Sequence, residues 1–300
     1  AFRLLRKYQD QVCTFNDDIQ GTASVTLAGI YSAIRITGQM LTDQKILFQG
    51  AGEAGVGIAN LIVSALEAEG MSHDEAKRKC WLVDSKGLVV KSRDNLQDHK
   101  LTYAHDHKRV SSLISAMETL KPTILIGVSG QPQTFTQPIV EAMGKINEQP
   151  VIFALSNPTS KAECTAEQAY SWTNGRAIFA SGSPFDPVTL NGKTYVPGQG
   201  NNAYVFPGVG LGIIESGARH VTNEMFFAAA KALAKEVSED DLAKGSVYPP
   251  LPQIRDVSAV IASVVAEVAY ERGLATVERP DDLLDYMKSR QYQPDYESYV

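Results

Sequence analysis

The stretch Lys45-Ile-Leu-Phe-Gln-Gly-Ala-Gly-Glu-Ala-Gly-Val-Gly57 constrains this chain more than any other. An apolar run suited to a buried strand leads directly into Gly50-x-Gly52-x-x-Gly55, and the sequence continues as the helix-compatible Ile58-Ala-Asn-Leu-Ile-Val63. In such a unit Gly50 permits the tight turn, Gly52 lets backbone approach a pyrophosphate, and Gly55 lets the helix pack on the strand. The unpaired N–H groups that open the helix face the phosphates. The pattern predicts a dinucleotide-binding strand–turn–helix. A bare glycine motif also fits an ordinary turn, so its context matters. A second apolar run, Cys80-Trp-Leu-Val83, ends in Asp84, the acidic position expected to reach the adenosine ribose, although the gap exceeds the usual ~20 residues.

Strand and helix patterns alternate through the next part of the chain. Thr22 to Ile36 has helical spacing, Thr123–Gly127 and Pro150–Leu155 are short buried-strand runs, and Val110–Leu120 and Pro138–Asn147 are helix candidates between them. Thr165-Ala-Glu-Gln168 has capping-box spacing, which predicts a helix to about Trp172, and Arg176–Ala180 reads as a further strand. Such alternation implies a parallel sheet. Ser181 to Gly200 reads as a long loop over the cofactor edge of the sheet, with a hairpin at Asn191-Gly192.

From Asn202 the pattern becomes helical: Val209–Ile214, Met225–Leu233 and Val257–Tyr270 repeat apolar residues at three- and four-residue spacing. Val257, Ile261, Val264, Val265 and Val268 form a stripe that needs a partner surface, and Gly273 supplies the stop. The tail from Glu278, Tyr-rich and punctuated by Pro280 and Pro294, is expected to wrap the surface. The fold class is therefore α/β, a Rossmann-type doubly wound parallel sheet followed by a helical C-terminal segment. Its expected divisions are an opening helix over 1–16, a dinucleotide-binding domain over 17–201, helices over 202–273 and a tail over 274–300.

Composition excludes several partners. A net charge of −6 without clustering, in a chain that is 44% apolar and 21% charged, leaves no electrostatic footprint for nucleic acid or a membrane surface. No window reaches the ~18 apolar residues of a spanning helix. Cys13, Cys80 and Cys164 are odd in number and widely separated, which suits free thiols in a reducing compartment rather than a disulfide framework or a cysteine-based metal site. A cytoplasmic location is expected, and nothing in the sequence excludes a plastid or mitochondrial one.

Three constellations carry polar chemistry. Phe15-Asn-Asp17-Asp18-Ile-Gln-Gly-Thr22 sets adjacent carboxylates just before a helix, where they serve either as N-terminal caps or as oxygen ligands to a hard divalent cation. Asn157 ends the Pro150–Leu155 strand run at the carboxyl edge, where open α/β sheets bind ligands, and also suits a simple turn before Pro158. Gly198-Gln-Gly-Asn-Asn202 reads as a tight loop or as amide donors for a carboxylate substrate.

Taken in order, Cys13 to Thr22, Gly50 to Ala54, Phe153 to Thr159, Phe179 to Phe185 and Pro197 to Asn202 resemble the motifs of the malic enzyme family, and the resemblance extends from Ala1 to Val300. It implies oxidative decarboxylation of malate to pyruvate and carbon dioxide, with hydride passing to a nicotinamide. By that similarity Asp18 matches a metal carboxylate for Mg2+ or Mn2+, Asp17 its neighbour, and Asn157 and Asn202 the amides at malate and the nicotinamide. Thr22, Glu53, Ala54, Asp84 and Val128 fall at cofactor-contact positions. A homodimer or homotetramer is implied for the full-length family member.

Charge favours NADP over NAD. Ser85, Lys86 and Lys100 stand where a 2′-phosphate would sit and offset repulsion from Asp84, and Arg93 is an alternative phosphate contact. By the same resemblance the family's remaining metal carboxylates belong to a Glu-Asp-Phe motif expected just ahead of Ala1, with its general-base Lys and proton-donor Tyr further upstream, and none has a match here; Lys7 and Tyr8 lie after that motif. The chain is therefore expected to be a C-terminal portion that is inactive alone, with an exposed apolar patch over Ala203 to Gly273 and the opening helix. A dinucleotide-binding module without chemistry and another Rossmann dehydrogenase, such as an amino-acid dehydrogenase, are the alternatives.

Overall fold

The computed structural model describes residues 1–294. The described residues hold nine strands, of which β1, β2, β4, β5 and β6 form on the predicted apolar runs: β1 (Ile46–Gln49), β2 (Cys80–Asp84), β3 (Gly87–Leu88), β4 (Ile124–Gly127), β5 (Val151–Ala154), β6 (Ile178–Ser181), β7 (Val188–Leu190), β8 (Lys193–Tyr195) and β9 (Gly198–Gln199). The helices are α1 (Phe2–Tyr8), α2 (Thr22–Thr37), α3 (Glu53–Ala68), α4 (His73–Lys77), α5 (Asp98–Leu101), α6 (Leu113–Leu120), α7 (Gln137–Ile146) and α8 (Ala166–Trp172). They continue with α9 (Phe206–Ser216), α10 (Asn223–Lys235), α11 (Glu239–Ala243), α12 (Ile254–Glu271) and α13 (Leu283–Arg290).

The main sheet has the order β3-β2-β1-β4-β5-β6-β9. All neighbours pair in parallel except β3, which runs antiparallel to β2 at the edge. Helices cover both faces, so β4, β5 and β6 are buried along their whole length. One core packs α2, α3, α10 and α12 against one face of the sheet, and a second packs α6, α7 and α8 against the other. Because β2 and β4 flank β1, the chain moves outward in opposite directions from the middle of the sheet. The crevice at the carboxyl ends of β1 and β4 is thus the switch point of a doubly wound fold.

Local chemistry sets the boundaries. Thr165 Oγ accepts the Gln168 N–H at 3.1 Å while Gln168 Oε1 accepts the Thr165 N–H at 2.9 Å, the reciprocal cap predicted for α8. The Asn191-Gly192 hairpin joins β7 and β8 as expected. Its position differs from the expected loop over the cofactor edge: Tyr195 stacks on Tyr170 of α8 with ring centroids 4.7 Å apart, which draws the hairpin to the amino end of β6. The end of the same segment is regular, with β9 adding a seventh strand beside β6.

The stripe on α12, expected to be underburied, is instead largely covered: Val257, Ile261, Val265 and Val268 are buried and Val264 is half-buried, because α9, α10 and α13 surround the helix. Apolar exposure persists at Leu4, Tyr8, Val12, Phe206, Ile214 and Leu251. Within the described part of the tail, α13, a helix the sequence reading did not name, seats Leu283 and Met287 against α12. The tail's last tyrosines fall within residues 295–300, outside the described residues. The three cysteines are free, with Cys80 and Cys164 buried. Among the described residues, no helix is long and apolar enough to cross a membrane.

Candidate dinucleotide and substrate site

Gly50 has φ +121°, and a Cβ there would stand 2.6 Å from the Val128 carbonyl oxygen, so neither its conformation nor its space admits a side chain. A Cβ on Gly55 would meet the Gly50 carbonyl oxygen at 2.5 Å, which is the close helix–strand packing the motif predicts. Gly52 differs, because no protein atom lies within 4 Å of the place its Cβ would occupy. Gly52 also caps α3 without a side chain, leaving the helix's first N–H groups free for an anion. These residues open onto a cavity of about 650 Å³ lined by Gln49, Gly50, Gly52, Asp84, Lys100 and Val128, among others. That volume suits a small-molecule site.

Asp84 ends β2 beside this cavity and is held by two cations. Arg93 donates to both carboxylate oxygens at 2.9 Å, Lys100 donates to Oδ2 at 2.8 Å, and the Lys86 backbone N–H donates to Oδ1 at 2.9 Å. Burial raises the Asp84 pKa, but the Arg93 and Lys100 hydrogen bonds outweigh it and hold the carboxyl at about 2. One carboxylate against two cations leaves the cluster with surplus positive charge. His99 supports it by hydrogen-bonding the Ala51 carbonyl at 3.1 Å, which ties α5 to the glycine turn.

Asp17 and Asp18 lie in a wide π-type turn, Asp17–Gly21, that opens α2. Asn16 initiates it, with Oδ1 accepting the Ile19 N–H at 2.9 Å and its own N–H donating to Gln20 Oε1 at 2.9 Å. Asp17 Oδ2 accepts from the Asn202 amide, while Oδ1 is buried without a partner among the described residues. Burial and the neighbouring Asp18 charge raise the Asp17 pKa, and the Asn202 hydrogen bond partly offsets them. Asp18 is exposed. Among the described residues no group of three or more His, Cys, Asp or Glu side chains could hold a metal ion, so Asp17 and Asp18 alone do not make up an oxygen shell.

The sequence profile described as "Malic enzyme, NAD binding domain" matches residues 19–270. This chain belongs to the malic enzyme family. It is 57% identical over 304 residues to an NADP-dependent malic enzyme of Vitis vinifera and 54% identical over 302 residues to one of Anas platyrhynchos. Each match covers 100% of this chain but 51% and 54% of those relatives, so the chain spans about half their length. Among solved structures, the malic enzyme from Pyrococcus horikoshii Ot3 superposes with a TM-score of 0.75 at 25% identity, covering 96% of this chain and 62% of that one. The Entamoeba histolytica malic enzyme, at 24% identity and a TM-score of 0.78, shares the fold over 96% of this chain and 55% of its own.

Set against the sequence reading of a malic enzyme, the crevice gathers Gly50, Gly52, Asp84, Ser85, Lys100 and Val128. Arg93 reaches it only through Asp84, and Lys86 and Glu53 are exposed at its border. Gly55 and Ala54 lie in the first turn of α3, with Gly55 buried against the strand. Thr22 does not line the cavity; it starts α2 beside Asp17. Asp17 and Asn202 are brought together, whereas Asn157 stands exposed on the loop after β5 and bonds to neither. Sequence reasoning missed Gln49, whose Oε1 is buried without a partner among the described residues, and Glu163, a fully buried carboxylate. A lone polar residue ending an apolar strand was the available signal for Gln49; Glu163 had none, because Ser129 lies on the separate β4 loop and no spacing marks its pairing with Ser156.

Proposed function

We propose that this chain binds NADP in the β1–β4 crevice and supplies the dinucleotide half of an enzyme that converts malate to pyruvate and carbon dioxide. The observation that carries the reading is Asp84 at the ribose end of the crevice with both Arg93 and Lys100 upon it. A lone carboxylate there selects the ribose hydroxyl of NAD and repels a 2′-phosphate, but two added cations reverse the local sign. The Vitis vinifera and Anas platyrhynchos relatives are NADP-dependent malic enzymes, which supports the same choice.

In this reading the first turn of α3 receives the pyrophosphate, with Gly52 giving it room to approach. Gln49 Oε1 accepts from the bound nucleotide, which gives that buried oxygen the partner it lacks. Asn202, oriented by Asp17, and Asn157 hold malate and the nicotinamide end. Asp18, with Asp17 behind it, would hold Mg2+ or Mn2+ from one side, and such a cation supplies stabilisation of negative charge on the substrate oxygen. The remaining catalytic groups come from outside this chain.

The test has two stages. Titration of the chain with NADP and NAD should show tighter binding of NADP. A chimera joining this chain to the preceding half of the Vitis vinifera relative should then reduce NADP in the presence of malate and Mn2+. No nucleotide binding contradicts the cofactor assignment; binding without malate turnover in a folded chimera contradicts the substrate assignment.

A further inference from the structure

Glu163 lies between β5 and α8 and is 0% exposed. No Lys, Arg or His pairs with it among the described residues, and its carboxylate is satisfied by neutral donors alone. Oε1 accepts the Ser129 N–H at 3.2 Å, the Ser129 hydroxyl at 3.3 Å and the Ser156 hydroxyl, while Oε2 accepts the Ser156 N–H at 3.3 Å. The Ser156 hydroxyl oxygen in turn accepts the Gly130 N–H at 2.9 Å. One side chain therefore joins the loop that leaves β4 to the loop that leaves β5. Gly127 makes room for it, since a Cβ there would stand 2.6 Å from Glu163 Cγ.

The β4 loop lines the crevice through Val128 and Ser129, and the β5 loop that Glu163 ties to it carries Asn157 directly after Ser156. In a doubly wound fold the β4–β5 half receives the second mononucleotide, opposite the half built on β1 and β2 where Asp84 stands. We propose that Glu163 is a positioning residue for the nicotinamide half of the dinucleotide, a carboxylate clamp that fixes the β4 and β5 loops. The inference rests on the dinucleotide reading above. It requires a carboxylate, because both oxygens accept backbone N–H groups. An amide in either orientation turns its NH2 toward one of those donors.

The experiment compares NADP with 2′,5′-ADP, which carries only the adenosine half. Glu163→Gln in the full chain should weaken NADP by about tenfold while 2′,5′-ADP affinity stays within about twofold of wild type. Ser156→Ala, which removes one hydroxyl and leaves the other donors in place, should show the same selectivity at about threefold, and serves if Glu163→Gln does not fold. Equal weakening of both ligands by the folded variants, or wild-type NADP affinity in them, overturns the clamp. Failure of the wild-type chain to bind either ligand overturns the dinucleotide reading itself, and the clamp with it.

Discussion

Asp84 and Glu163 are two carboxylates on opposite sides of β1, and the fold accommodates their charges in opposite ways. Asp84 is 11% exposed at its side chain and is matched by two cations, one of them bidentate. Glu163 is wholly buried and matched only by serine hydroxyls and backbone N–H groups. Ion pairing over-compensates Asp84 and leaves positive charge facing the crevice, a property that selects a ligand. Neutral donors spread the Glu163 charge over two loops without creating a field, a property that fixes geometry. The contrast separates recognition from positioning within one site.

The strongest way to break this contrast is Glu163→Ala. It strands the buried Ser156 N–H and takes the acceptor from the part-buried Ser129 N–H, and should cost more than about 3 kcal/mol in chemical denaturation. Arg93→Ala should cost less, about 1–3 kcal/mol, because Lys100 and the Lys86 N–H still hold Asp84. If Arg93→Ala proves the costlier of the two, the assignment of roles is reversed.

Acid titration sharpens the comparison. With its folded-state pKa depressed from 3.8 to about 2, Asp84 contributes about 2 kcal/mol that is fully present above the unfolded-state value and lost as pH falls toward 2. Asp17, shifted upward, acts with the opposite sign: the folded state takes up its proton more readily, so its contribution grows as pH falls. Stability measured from pH 5 to 2 should therefore show an acid loss that shrinks in Arg93→Ala. An unchanged slope contradicts the ion-pair account. The smallest effect is expected for the exposed Asp18→Asn, within about 0.5 kcal/mol by thermal unfolding and without change in NADP affinity.

Much of this arrangement was legible in the sequence. The strands are short apolar runs with both faces buried, and the glycine turn has steric reasons at Gly50 and Gly55 that its spacing already encoded. The pairing of Asp17 with Asn202 bridges 185 positions, so only the resemblance to a family hinted at it. What stayed hidden depends on neighbours distant in sequence. The hairpin's position is set by Tyr195 on Tyr170, and the α12 stripe is covered by helices whose docking no periodicity specifies. Glu163 was invisible because a carboxylate among apolar and small residues signals nothing until both serine loops close on it.

The central claim, that phosphates are gripped where β1 turns into α3, is tested most directly by Gly52→Asp. The backbone there is extended with φ −85°, the Cβ direction is open, and aspartate caps helices well, so the ligand-free protein should be at least as stable as wild type. Its carboxylate would meet the pyrophosphate, and NADP affinity should fall by about a hundredfold or more. A folded Gly52→Asp chain that binds NADP as tightly as wild type would contradict the account.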